Sequence, residues 1–191
     1  YSGKPKESTN PPWDGGFVWA KDSLNNDFVG VACEGIGANL WWPCKDQLLD
    51  EPDSMKINIE CPVNLYCVSN GVISKRRDLD DGYARHEWKV NYPINNYDVT
   101  INIGRYGIIS EKYRSLDGDS LQLNYYVLKY NTDKAKKQFA QVHKILQCYE
   151  KFYGKYPFWK DGFALVEAPF WGMEHQAAIA YGNKYQNNNF G

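Results

Sequence analysis

The residues able to do chemistry are few, and the densest group lies in FWGMEHQAAIAYGN, Phe170 to Asn183. There Glu174 and His175 stand side by side among apolar residues and glycine. A carboxylate beside an imidazole can hold a metal, grip a cation or move a proton. Extended backbone sends neighbouring side chains to opposite faces, so this pair alone does not make a metal site. The other histidines, His86 and His143, are not at ligand spacing from it or from each other. The H-E-x-x-H pattern, which places two imidazoles on one helix face, is absent. His86 in a strand-like run and His143 in a helical run read as surface or packed residues. No metal ligand is expected within this chain.

Five cysteines occur, Cys33, Cys44, Cys61, Cys67 and Cys148, with no C-x-x-C pair. That argues against a zinc knuckle. Cys61 and Cys67 could close across a turn in an oxidising compartment; buried free thiols are the alternative. GIGANL, from Gly35, has the start of a dinucleotide fingerprint but lacks its third glycine, and Pro43 soon follows. No G-x-S-x-G elbow is present. A second carboxylate among small and aromatic residues, Glu34, lies in ACEGIGANLWWPCKDQLLDEPDS. By themselves Glu34 reads as an edge-strand residue and Glu174 as a turn residue.

The elements that must position these groups change character along the chain. FVWA, DFVGVAC, MKINIEC, YARHEWKV, YDVTINI and LQLNYYVL are short runs rich in β-branched and aromatic residues, separated by turn clusters. In MKINIE, Met55, Ile57 and Ile59 share one face. This predicts an antiparallel sandwich or curved sheet. Lys75, Arg76 and Arg77, followed by Asp78, Asp80 and Asp81, are read as a solvated turn. From Thr132 to Tyr153, Phe139, Val142, Leu146, Tyr149 and Phe152 recur every three or four residues, predicting one helix. Thr132 or Asp133 can cap it and Gly154 can end it. GFALVEAP and AAIAYGN read as two strands. An all-β unit over 1–130 thus hands over to an α/β unit over 131–191. One helix and two strands are too little for a core, and the chain opens without Met, so a fragment is expected.

Basic and acidic residues number 22 and 23, which gives no field for nucleic acid or an anionic membrane. No stretch approaches the roughly 20 apolar residues of a membrane-spanning helix. The 7 Trp, 15 Tyr and 8 Phe suit a large core, or a carbohydrate- or peptide-binding face.

GMEH within EAPFWGMEHQAAIAYGN resembles the G-x-M-E-N exopeptidase motif of the zinc aminopeptidases of the aminopeptidase N and leukotriene hydrolase family. WWPCKDQLLDEPDS is similar to a segment that ends one sheet of that family's N-terminal domain. DKAKKQFAQVHKILQCYEKFYGKYPF resembles the opening of its thermolysin-like catalytic domain. The likeness covers nearly the whole chain in order. It implies a mainly β fold: an antiparallel sandwich or saddle lacking its first strands, then the truncated start of an α/β thermolysin-like domain. It implies that Glu174 and Glu34 share the α-ammonium of a peptide with a free N-terminus. Gly172 and Met173 would supply backbone along the bound peptide. His175 stands where the family usually has Asn, and no role is carried over to it. The family's zinc would be held by an H-E-x-x-H and a further Glu, expected beyond Gly191, so this chain alone is expected to be inactive. G-M-E-H-Q is most similar to the bacterial branch, which favours an exported or periplasmic setting. The rival reading, a carbohydrate-binding sandwich, requires coplanar, exposed Trp41, Trp42 and Trp171. A third is an interaction domain that kept the fold without the metal.

Overall fold

A computed structural model describes residues 2–35, 37–45 and 47–186. Its strands begin with β1 (Gly16–Lys21), β2 (Asp27–Ala32), β3 (Met55–Pro62), β4 (Tyr66–Ser69), β5 (Val72–Asp78), β6 (Tyr83–Val90) and β7 (Ile101–Gly104). They form two antiparallel sheets, ordered β1-β2-β7-β4 and β3-β6-β5. The alternation in MKINIE is realised: Ile57 and Ile59 lie opposite Trp88 and His86 of β6. Their apolar face packs inward with Trp88, Cys61, Phe28 and Val68, so the two sheets close over one core.

A mixed sheet follows. β8 (Tyr106–Arg114) and β9 (Ser120–Leu128) form an antiparallel hairpin, and β9 pairs in parallel with β10 (Phe163–Glu167), which pairs in parallel with β11 (Ile179–Tyr181). β9 is buried on both faces. Tyr126 and Leu128 join the core of the β unit, while Leu121, Leu123, Tyr125 and Val127 pack under the helices. The hydrogen-bonded sheet therefore begins before residue 131, where the sequence changes texture.

Four local expectations need correction. The helix expected over 132–153 is two helices, α1 (Thr132–Phe139) and α2 (Val142–Tyr153). Ala140 and Gln141 between them keep right-handed backbone, so Ala135, Phe139, Val142 and Leu146 still form one buried stripe. Periodicity cannot register a break that leaves the stripe unturned. Tyr149 and Phe152, expected on that stripe, are 57% and 69% exposed. The position before α1 is Asn131, with no side-chain cap; the Thr132 hydroxyl donates to the Lys129 carbonyl instead. Gly154 does end α2, at φ 97°. Finally, Lys75, Arg76 and Arg77 are not a turn but the exposed middle of β5, where Arg76 pairs with Asp78 and Arg77 with Glu87. Such charges suit a sheet edge, since they discourage pairing with another chain.

Candidate functional site

Residues 168–178 form a loop that leaves β10 and returns as β11, and two glycines outside it seat it. A Cβ on Gly30 of β2 would lie 2.6 Å from the Phe170 ring. One on Gly182 would lie 1.7 Å from the Phe170 carbonyl oxygen. Only hydrogen at both positions lets the loop press against the β unit. Phe170 and Met173 are buried there with Ala32, Ala168 and Ala180, against partly buried Tyr97.

Met173 makes a two-bond antiparallel bridge to Ala180. Its N–H donates to the Ala180 carbonyl at 3.2 Å, and its carbonyl accepts from Ala180 at 2.8 Å. Its backbone is thus committed inside the chain. Gly172 is exposed, and among the described residues its backbone groups have no partner. Of the two residues expected to run along a peptide, Gly172 has groups to offer and Met173 does not.

Beyond Met173 the side chains alternate as extended backbone requires: Glu174 outward, His175 inward. His175 is fully buried, and neither ring nitrogen has a hydrogen-bond partner. Burial drops its pKa to about 3, so the ring is neutral. Next, Ala177 sits in the left-handed region at φ 56°, in a turn where Ala178 donates to the His175 carbonyl at 3.1 Å. That conformation costs a non-glycine residue about 1–2 kcal/mol.

Glu174 meets a residue the sequence did not single out. The Tyr97 hydroxyl donates to Glu174 Oε1 at 3.2 Å. Tyr97 lies in the short 3-10 turn Asn96–Asp98, whose start is held by Asn95 Oδ1 accepting from Tyr97 N at 3.3 Å. Asn95 and Asn96 also donate to the carbonyls of Leu48 and Lys45, at 2.7 and 2.9 Å, tying those two residues to the site. Asp98 accepts from the Gln176 N–H at 3.0 Å. Asn70 donates to the carbonyls of both Asp98 and Gln176, at 2.9 and 2.8 Å. The signal for this group was the polar run NNYD after a proline, but its partner lies 77 residues away.

Glu34 follows β2 in a bend, half-buried, with its N–H donating to the Pro12 carbonyl at 3.1 Å. Burial first, then the charges of Asp98, Glu174 and Glu34, holds the Tyr97 phenol well above its ordinary pKa. Tyr97 is therefore the residue on which both expected carboxylates act. Burial, then the charges of Glu174 and Glu51, pushes Asp98 up to about 6. The site is thus acidic, with burial as the main cost of ionising Asp98 and the Glu174 charge adding to it. Its donors are oxygens only, from Glu174, Tyr97, Asp98 and Glu34, which do not match the histidine-rich set of a catalytic zinc.

The tryptophan platform of the carbohydrate reading is not formed by Trp41 and Trp42. Their rings are inclined by 60° and packed against Val90, Ile94 and Val99; Trp171 is 63% exposed.

No family model and no curated protein matches the chain. Solved structures do. An M1 zinc metallopeptidase mutant from Deinococcus radiodurans is 14% identical, with TM-score 0.73, over 94% of this chain and 40% of that one. A two-domain M1 zinc metallopeptidase mutant bound to L-tryptophan is 13% identical, with TM-score 0.75, over 98% and 42%. A Deinococcus radiodurans mutant bound to a Tyr-Ser-Ala substrate is 13% identical, with TM-score 0.74, over 98% and 42%. The chain thus spans about two-fifths of the length of these neighbours. Over that span it has the fold of the M1 zinc metallopeptidases, a mainly antiparallel β unit leading into an α/β sheet.

Proposed function

We propose that this chain is one wall of the active site of a zinc aminopeptidase, in which Glu174, with Glu34, receives the free α-ammonium of a peptide. The observation that carries the reading is the outward Glu174 carboxylate, whose Oε1 accepts from the Tyr97 hydroxyl at 3.2 Å. The peptide and amino acid ligands of the structural neighbours support the substrate class.

The physics suits that task. An α-ammonium has an unperturbed pKa near 8 and is mostly charged at neutral pH. At 4 Å from a carboxylate it gains about 4 kcal/mol at an effective dielectric near 20, before desolvation. An internal stretch of peptide brings no charge and leaves the carboxylates facing one another, which disfavours cleavage inside a chain. The carboxylates would therefore measure one residue from the N-terminus. Gly172 would offer its free backbone groups to the peptide as a short added strand.

Zinc in the whole enzyme would activate water and polarise the scissile carbonyl. The part proposed for Glu174, Glu34 and Gly172 is to bind and orient the peptide. In the whole enzyme, Glu174→Gln is expected to weaken transition-state binding of substrates with free N-termini by more than about 1 kcal/mol, since a charge-assisted pair is lost. Equal kcat/KM for wild type and variant on an aminoacyl reporter would defeat the assignment. The 191-residue chain alone is expected to leave that reporter uncleaved; zinc-dependent turnover by it would contradict the division of labour.

A further inference from the structure

We propose that Cys61, Cys67 and His86 form a second metal site, buried between the two sheets of the β unit and suited to a thiophilic divalent cation such as Zn2+. Cys61 lies on β3, Cys67 on β4 and His86 on β6. β3 and β6 are neighbours in one sheet, whereas β4 belongs to the other, so the group spans the layers of the sandwich. The register explains the convergence. Ile59 lies opposite His86 and Cys61 opposite Ala84, which puts Cys61 and His86 on one inward face at a diagonal. The ligating atoms of all three lie within 4.8 Å of one another.

Two facts point to a ligand. All three side chains are sealed from solvent, at 2%, 0% and 0% exposure. Neither nitrogen of His86 has a hydrogen-bond partner, an expensive state for a buried imidazole facing two sulfurs. A Cys61–Cys67 disulfide would leave both nitrogens as they are; a metal would use one of them. Two sulfurs and one nitrogen are the donor types that zinc selects. Binding Zn2+ releases one proton from each thiol, and the cation with two thiolates and a neutral imidazole carries no net charge. That is the combination a dry interior tolerates. A tetrahedral ion takes its fourth ligand from water or a backbone carbonyl. Because the site is closed, the ion enters as the sheets close and contributes to folding.

The test is to unfold the 191-residue chain in reductant, refold it with one equivalent of Co2+ or Zn2+, desalt it, and measure metal, spectrum and Tm. The chain has no H-E-x-x-H, so a catalytic site does not confound the count. Expected are one retained ion, thiolate-to-cobalt charge-transfer bands with tetrahedral d–d intensity, and a Tm raised by about 5 °C or more. Cys61→Ser and Cys67→Ser should each abolish retention, His86→Gln should weaken it at least tenfold, and Cys148→Ser should retain the ion. Absence of retention by the wild-type chain would overturn the proposal. So would retention undiminished in Cys61→Ser, or a refolded chain whose thiol count is two below its five cysteines. Should the serine variants fail to fold, the cobalt spectrum of the wild-type chain decides: sulfur bands uphold the site, and the hexa-aquo spectrum sinks it.

Discussion

His175 and His86 are both sealed from water with neither ring nitrogen hydrogen-bonded, yet they keep different company. His175 lies beneath the Glu174 loop, and no pair of other ligating side chains converges on it among the described residues. His86 faces two thiols from two other strands. The first is a packed neutral ring that supports the floor of a polar site. The second is one arm of a donor set. An orphaned buried imidazole is thus no evidence of chemistry until its neighbours are counted.

The comparison can be broken by experiment. The largest effect expected is at His86: with free Zn2+ at about 1,000 times its dissociation constant, linkage adds about 4 kcal/mol to stability. Denaturant melts with and without Zn2+ check it, and His175→Asn should leave that gain intact. Acid comes second. His175 has a depressed folded pKa of about 3, so its contribution is present above the unfolded value near 6.5 and lost as pH falls through the window between them. Between pH 7 and 5 the loss is about 2 kcal/mol. His175→Asn should flatten this limb in urea midpoints, and an unchanged slope would mean the ring is not buried neutral.

Asp98 has the opposite sign. Its folded pKa is raised to about 6, so its contribution is present below the unfolded value and lost as pH rises through 6. Asp98→Asn should therefore stabilise the chain at pH 8 by on the order of 1 kcal/mol, with the gain vanishing near pH 4. The smallest expected effect is that of Tyr97→Phe, which removes one hydrogen bond to Glu174. It should weaken N-terminal amine recognition in the whole enzyme by about 0.5–1.5 kcal/mol, read as kcat/KM on aminoacyl reporters. A loss as large as that of Glu174→Gln would make Tyr97 a partner rather than a support.

What the sequence carried was whatever the backbone period writes locally. The inward face of β3 and the opposite faces of Glu174 and His175 follow from alternation alone. β5 was concealed because an exposed edge strand needs no apolar face, and Lys75 to Arg77 looks the same in a turn. The break between α1 and α2 was concealed because Phe139 and Val142 stay on one stripe. At the candidate site, Glu174 was legible through a resemblance, but Tyr97 and Asp98 were not. They arrive through a contact 77 residues long, which no local spacing records. The thiol and imidazole group escaped for the same reason, its three members standing on three strands.

Asn70, wholly buried, has both ends of its amide occupied. Its oxygen accepts from the Thr100 N–H at 2.8 Å while its nitrogen reaches the carbonyls of Asp98 and Gln176. One side chain of the β unit is thereby riveted to the loop of the α/β unit, two residues from Glu174 on one branch and one from Tyr97 on the other. The loop that carries Glu174 is thus held to the turn that carries Tyr97 by a buried amide as well as by the exposed pair itself. Under the proposed function, a loop fixed in this way would accept or refuse a peptide by where its end falls.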